Sequence, residues 1–152
     1  MIIRKATRKD IPSIINLVKQ IVDYHRRIDK YYGPLARVGL KEHIGKSIRG
    51  RKKRIVVAEK DEEIIGYFTG AVEKAPKYVS AEKIGVIFDA FVEKKYRNQG
   101  VGRKLLDELL DWFKKNKIKH VEVTVDARNK IGLKAWKDFG FFEYRLKMRL
   151  DL

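Results

Sequence analysis

The chain contains no cysteine, which removes several classes of chemistry at once. Without thiols there is no disulfide, no zinc ribbon, no iron–sulfur cluster and no cysteine nucleophile. Long apolar runs are also absent: none approaches the roughly 20 residues of a membrane-spanning helix, and the N-terminus lacks the apolar stretch of a signal peptide. The three histidines are scattered without metal-ligand spacing. We therefore expect a cytoplasmic protein with no membrane partner and no metal site.

Acidic residues are few relative to basic ones, with 20 Asp and Glu against 36 Lys and Arg, and the formal net charge is +16. This excess favours polyanionic partners: nucleic acid, an anionic membrane or a phosphate-rich cofactor. Hydrophobic residues make up 44% of the 152 residues, enough for a core, and the length fits one domain over residues 1–152. Many Lys and Glu with few Gln are also typical of a thermophilic protein.

Hydrophobic periodicity predicts an α/β fold with a mixed sheet, in the order β-α-α-β-β-β-α-β-α-β. Strands are predicted at 2–6, 54–59, 64–72, 84–92, 119–125 and 141–150. Helices are predicted from the capping residue Thr7 to about residue 28, and at 40–49, 100–116 and 131–139. A polar turn between the second and third strands predicts an antiparallel hairpin. The continuous apolar run at 84–92 predicts a central strand buried on both faces.

A short basic loop and two glycines join the central strand to the helix at 100–116: Arg97-Asn98-Gln99-Gly100-Val101-Gly102. The first N–H groups of a helix lack internal partners and point outwards, where the helix dipole is positive. Glycines let an anion approach this backbone, and Arg97 and Arg103 add charged donors. The loop therefore predicts a phosphate site, with an ordinary strand–helix turn as the alternative. Other phosphate loops fit less well, because G-x-x-x-x-G-K-[ST] is absent and Leu105 replaces the third glycine of G-x-G-x-x-G.

The same hexapeptide matches the pattern R/Q-x-x-G-x-G/A, and three further stretches accompany it along the chain. These are residues 4–10, residues 57–67, and Asn129 followed by residues 135–141. Together they resemble the acetyl-CoA signature, the opening, the central hairpin and the C-terminal motif of the GNAT N-acetyltransferase superfamily. The resemblance spans essentially the whole chain. It implies a GNAT-like fold in which the fourth and fifth strands are parallel and splay apart to admit coenzyme A.

The resemblance further implies where acetyl-CoA binds. The pantetheine arm would pair with the backbone at Phe91 and Val92, the pyrophosphate would lie on the N–H groups of residues 97–102, and Asn129 would hydrogen-bond one of these regions. The basic side chains expected near the 3′-phosphate are Arg103, Arg128 or Lys134. The full set of expected cofactor residues is Phe91, Val92, Arg97, Asn98, Gln99, Gly100, Val101, Gly102, Arg103, Asn129 and Trp136.

Direct attack of an amine on the thioester requires a deprotonated amine and a donor for the oxyanion, for which the resemblance suggests the backbone N–H of Val92. Asp89 on the central strand is the candidate base, with Glu122 on the next strand and Glu82 before the fourth strand as alternatives. A purely structural carboxylate is the other interpretation of Asp89. Many family members have a tyrosine acid where this chain has Trp136, whose indole cannot give up a proton and is expected to pack against the cofactor. Tyr144, another tyrosine or water would then protonate the thiolate.

The predicted function is transfer of an acetyl group from acetyl-CoA to an amine of a small molecule or peptide. Two alternatives stay open: a catalytically weak CoA-binding sensor, because of Trp136, and a basic nucleic-acid-binding module, because of the charge and the run at residues 49–54. The basic region at 24–54 disfavours a polycationic acceptor such as spermidine and tolerates an acidic peptide terminus, an anionic metabolite or a nucleic-acid-bound amine. The apolar strand at 141–150 is expected to contribute to a homodimer.

Overall fold

In the computed structural model, which describes residues 1–35 and 39–152, these residues form a five-stranded sheet and four α-helices. The strands are β1 (Ile2–Lys5), β2 (Lys53–Lys60), β3 (Glu63–Lys74), β4 (Lys83–Val92) and β5 (Val121–Val123). The helices are α1 (Ile11–Ile28), α2 (Leu40–Arg49), α3 (Val101–Lys115) and α4 (Lys130–Asp138). The strands lie in chain order, and all neighbours are antiparallel except β4 and β5, which are parallel. The predicted α/β class with a mixed sheet is confirmed.

The helices begin and end close to the positions that hydrophobic periodicity predicts, and a capping box precedes the first of them. The Asp10 carboxylate accepts hydrogen bonds from the Thr7 N–H at 2.6 Å and the Thr7 hydroxyl at 3.0 Å, and the Arg4 guanidinium donates to both its oxygens at 2.8 Å. A 3₁₀ turn at Arg8–Asp10 precedes α1, so the regular helix begins at Ile11. The bounds of α2 match the prediction, and those of α3 and α4 differ by one residue at each end. Within the described ranges, no helix is long and apolar enough to cross a membrane.

The sheet separates two apolar cores, because successive residues of β2 point to opposite faces. The helices α1 and α2 cover one face, and the core there includes Ile14, Leu17, Ile44, Val57 and Tyr67. The helix α3 and part of α4 cover the other face, where the core includes Val56, Phe68, Leu105, Leu109, Phe113 and Trp136. The two helical layers hold β4 between them, which fixes the position of this strand relative to both.

The strands β4 and β5 stay paired for only a short distance and then separate. Their three paired positions run from Gly85 opposite Val121 to Ile87 opposite Val123. β5 ends there, whereas β4 continues to Val92. One edge of β4 over residues 88–92, here called the free edge, therefore has no strand beside it in the described part of the chain. This loss of pairing confirms the predicted separation of the two parallel strands.

The second half of β4 is more open than the sequence suggests. Opposite it, β3 pairs Thr69 with Asp89 and Gly70 with Ile87, so Phe88 is an extra, bulged residue. Phe88 is 55% exposed, and Asp89 is half-buried. The expectation of a strand buried on both faces is therefore wrong at residues 88–90, because the bulge and the missing neighbour leave this part of the strand uncovered.

The final strand predicted at 141–150 is wrong. No residue of the C-terminal segment (residues 141–152), all of which is described, belongs to a strand, and the strand predicted at 119–125 is reduced to β5. Because β5 has only three residues, it provides little edge for another strand to follow. Side chains position the segment instead: Arg145 donates a hydrogen bond to the Tyr78 hydroxyl, and Arg149 pairs with Asp29 at 2.9 Å.

Candidate active site

The loop between β4 and α3 uses left-handed backbone at two positions. Asn98 has a φ of 59°, and Gly100, the N-cap residue of α3, has a φ of 76°. A Cβ placed on Gly100 would have no heavy atom within 4 Å, so the approach to this turn is open. The N–H groups of the first helical turn have no partner within the helix. A helix start that is open in this way suits an anion such as a phosphate group.

Arg97 connects this loop to the end of β4. Its Nε donates a hydrogen bond to the carbonyl oxygen of Val92 at 2.8 Å, and its guanidinium carbon lies 5.5 Å from the centre of the Phe91 ring. The Val92 carbonyl oxygen therefore already accepts a hydrogen bond from within the protein. The guanidinium places a positive charge where the free edge meets the loop, which favours an anionic ligand at this junction.

A pocket of about 290 Å³ lies on the α1–α2 side of the sheet. Apolar side chains of the two helices form one wall, among them Ile14, Val18 and Ile44. The residues of the lining that carry polar or charged groups are His43, Ser47, Lys53, Arg54, Tyr67, Thr69 and Asp89. Asp89 belongs both to this pocket and to the free edge of β4. The pocket and the edge are therefore adjacent, and the strand residue between them carries a carboxyl group.

The environment of Asp89 disfavours its charged form. Burial raises the pKa of this carboxyl above its usual value, and a hydrogen bond from the Thr69 side chain and the nearby His25 and His43 oppose the shift without cancelling it. The backbone N–H of Asp89 also donates to Thr69 Oγ1 at 3.1 Å, which fixes the bulge. No Lys or Arg contributes to the titration of Asp89 in the described residues. A carboxyl group held in this way can take up a proton from a bound amine.

Tyr67 is the second buried polar side chain of the pocket. The side chain is fully buried, and its hydroxyl has no hydrogen-bond partner in residues 1–35 and 39–152. Burial, and then the charge of Asp89, raise the pKa of Tyr67, so its hydroxyl stays protonated at neutral pH. A buried hydroxyl without a partner is unfavourable, and a ligand in the pocket can supply the missing bond.

Side-chain contacts join α1 and the residues after it to the segment between β5 and α4, across the gap where β5 separates from β4, here called the cleft. Three side-chain contacts do this: Tyr24 to Asn129 at 2.8 Å, Tyr32 to Asp126 at 2.7 Å, and Arg128 to Asp29 at 2.8 Å. Hydrogen bonds from the Tyr31 N–H, Arg128 and Arg149 lower the pKa of Asp29 to about 2, so Asp29 is ionised at neutral pH. These contacts keep the two sides of the cleft at a defined separation.

Comparison with known proteins identifies the class to which this geometry belongs. The model of the Acetyltransferase (GNAT) family matches residues 19–141. The chain belongs to the GNAT acetyltransferase family. An uncharacterised N-acetyltransferase from Archaeoglobus fulgidus is 26% identical over 129 residues, covering 85% of this chain and 84% of the relative.

Solved structures show the same GNAT fold. A tetramutant of the BH1408 protein of Bacillus halodurans superposes with a TM-score of 0.89 at 21% identity and covers 100% of both chains. The enzyme AAC(6′)-Iy, solved with the bisubstrate analogue CoA-S-monomethyl-acetylneamine, superposes with a TM-score of 0.81 at 16% identity, covering 99% of this chain and 97% of the other. At these identities the likeness concerns the fold.

In this GNAT chain the structure places most of the predicted cofactor residues close together. Eight of them lie at the free edge and at the start of α3: Phe91, Val92, Arg97, Asn98, Gln99, Gly100, Val101 and Gly102. Arg103 lies in the first turn of α3, where its guanidinium pairs with Asp107 at 3.0 Å. Asn129 lies across the cleft, and its Oδ1 accepts bonds from Tyr24 and from the Gly132 N–H at 2.9 Å.

Trp136 lies in the core of the GNAT fold, and it is only 9% exposed. Its ring centre lies 5.9 Å from that of Phe68, 5.8 Å from Phe139 and 5.0 Å from Phe141. These aromatic contacts account for its position without a cofactor. A contact between Trp136 and the cofactor stays a prediction.

The predicted catalytic residues Glu122 and Tyr144 lie together but farther along the sheet. Glu122 is opposite Val86, three positions before Asp89, which is about 10 Å along a strand. The hydroxyl of Tyr144 hydrogen-bonds Glu122, and this bond raises the pKa of Tyr144. The structure thus pairs Glu122 with Tyr144, and it does not bring either of them next to Asp89.

Sequence reasoning missed the pocket residues that accompany Asp89. Thr69 faces Asp89 through the hairpin register, which becomes visible only when β3 and β4 are paired residue by residue. The position of Tyr67, opposite Phe91, likewise becomes visible only from this register. The contact of Tyr24 with Asn129 joins residues 105 positions apart, and no local pattern signals it.

Proposed function

We propose that this GNAT protein transfers an acetyl group from acetyl-CoA to the amine of a small acceptor, by direct attack of the amine on the thioester. One observation carries the proposal. Asp89 is a half-buried carboxyl without a Lys or Arg partner in the described residues, and it lies where the pocket meets the free edge of β4. The pocket gives room for an acceptor, and the free edge gives room for an extended thioester arm.

The proposed binding of acetyl-CoA uses the two open features beside β4. The pantetheine arm lies along the free edge and hydrogen-bonds the backbone as a neighbouring strand would. The pyrophosphate binds the N–H groups at the start of α3, where Gly100 leaves the approach open. Arg97 adds positive charge at the junction of the two. The excess of bases in the chain favours a ligand with several phosphate charges.

The proposed reaction needs one proton acceptor from the protein. Asp89 takes a proton from the ammonium group, and the free amine nitrogen then attacks the thioester carbonyl carbon. The C–S bond breaks, the acetyl group stays on nitrogen, and CoA leaves as the thiolate. The acetylated nitrogen then loses its remaining extra proton, which reaches the thiolate through water, so the products are the neutral amide and the CoA thiol. An ordinary thiol has a pKa of about 8.5, so the thiolate is a good leaving group without a strong protein acid. The raised pKa of Asp89 makes it a better base than an exposed aspartate.

The test combines a calorimetric titration with acetyl-CoA and an assay of the Asp89→Asn variant. We expect micromolar binding of acetyl-CoA by both proteins, because Asp89 lies outside the phosphate site. We expect turnover of the variant to fall by at least about 100-fold, as is common when a general base is removed. Wild-type protein, freed of bound CoA, that fails to bind acetyl-CoA would refute the proposal. Binding without turnover of any amine would instead favour the CoA-binding sensor.

A further inference from the structure

The pocket beside Asp89 contains two polar side chains on one face of the hairpin. β3 and β4 pair Thr69 with Asp89 and Tyr67 with Phe91, so Tyr67 and Asp89 are diagonal neighbours. Diagonal neighbours on one face of a sheet are about 7–8 Å apart along the backbone, within reach of long side chains, so the two side chains face the same part of the pocket. The Tyr67 hydroxyl is buried without a partner, and Asp89 has no Lys or Arg partner, in the described part of the chain. Both groups can therefore accept a hydrogen bond from a ligand.

We propose that the acceptor is a primary amine on a compact apolar body, and that its ammonium group binds between Asp89 and Tyr67. This inference rests on the proposed acetyl transfer. An ammonium group has three N–H donors and no acceptor, so it matches a site made of a carboxylate and a hydroxyl oxygen. The apolar wall of Ile14, Val18 and Ile44 suits an aliphatic or small aromatic body.

The size of the pocket excludes large acceptors with several charges. Its volume of about 290 Å³ lies near the lower limit of small-molecule sites, which span roughly 300–1,000 Å³. A second ammonium group inside would lose its water against the apolar wall without a counter-charge. Aminoglycosides carry several ammonium groups on linked rings. We therefore expect them to be poor acceptors here, although structurally similar proteins act on them.

The acceptor range is tested by the release of CoA from acetyl-CoA, read with a thiol reagent. The chain has no cysteine, so the thiol signal comes from CoA alone. We expect isobutylamine to have a higher kcat/KM than spermidine and the aminoglycoside sisomicin. Isobutanol, the uncharged isostere, should inhibit only weakly. Preference for spermidine or sisomicin, or equal affinity for isobutanol and isobutylamine, would overturn the inference.

The role of Tyr67 is tested by Tyr67→Phe, which removes one oxygen and keeps the ring. We expect the KM for isobutylamine to rise about tenfold, with the KM for acetyl-CoA unchanged. The melting temperature should not fall, because the lost hydroxyl has no partner in the described residues. Tyr78→Phe, at an exposed tyrosine outside the pocket, is the matched control. An unchanged KM for the amine would refute this inference alone, whereas loss of acetyl-CoA binding by the wild type would refute the proposed function.

Discussion

At the scale of single residues, Asp89 shows how stability and chemistry compete at one position. Burial raises its pKa, so the native state holds the proton more tightly than the unfolded chain. The contribution of Asp89 to the free energy of unfolding is therefore greatest at a pH below the usual aspartate pKa. This contribution falls as the pH rises through the raised pKa of Asp89 in the native state. Asp89 is half-buried beside the bulge of β4, where the proposed reaction uses it, and the fold tolerates the cost.

Asp89→Asn should therefore raise the melting temperature at neutral pH by a few degrees while abolishing turnover. The amide stays uncharged, so the variant avoids the cost of an ionised buried carboxyl. The difference should shrink as pH approaches the usual aspartate pKa, where the wild-type side chain is also neutral. Calorimetric melting of the wild type and the variant, from neutral pH down to the usual aspartate pKa, measures this difference in melting temperature. A wild type that is the more stable at neutral pH would contradict the assigned environment of Asp89.

At the scale of elements, the start of α3 is a feature whose position follows from local sequence. The residues of the proposed phosphate site are consecutive, so their spacing and backbone requirements can be read directly from the chain. Gly100 adopts φ 76° at the N-cap with open space around its Cβ position, as an anion-binding turn requires. The acceptor pocket is different, because it takes its walls from two helices and three strands.

Gly100→Glu should weaken CoA binding by roughly a hundredfold or more, because a carboxylate would occupy the place of the pyrophosphate. Gly39→Glu is the matched control. Gly39 is the N-cap of α2, with φ 79° and no heavy atom within 4 Å of its Cβ position, so the backbone strain is the same. Calorimetric titration with CoA, without acceptor, compares the two variants. Equal affinities would show that phosphate binds elsewhere.

At the scale of the whole molecule, two packed faces and one interrupted strand pair create the site. α1 and α2 line the pocket, the proposed phosphate site lies at the start of α3, and β4 connects them. In the proposed function, the separation of β5 from β4 after Ile87 provides the place of the extended cofactor arm. The net charge of +16 favours an anionic ligand over a polycationic acceptor.

The sequence by itself determined the α/β class, the approximate bounds of the helices and the β2–β3 hairpin, because periodicity and turn residues encode them. The phosphate loop stays a prediction. Only the tertiary structure decided that Phe88 bulges, that Trp136 lies among Phe68, Phe139 and Phe141, and that residues 141–152 have no strand partner within the described chain. These features depend on which distant segments meet. A single chain's pattern predicts a strand at its end, but a strand forms only where an edge exists to pair with it.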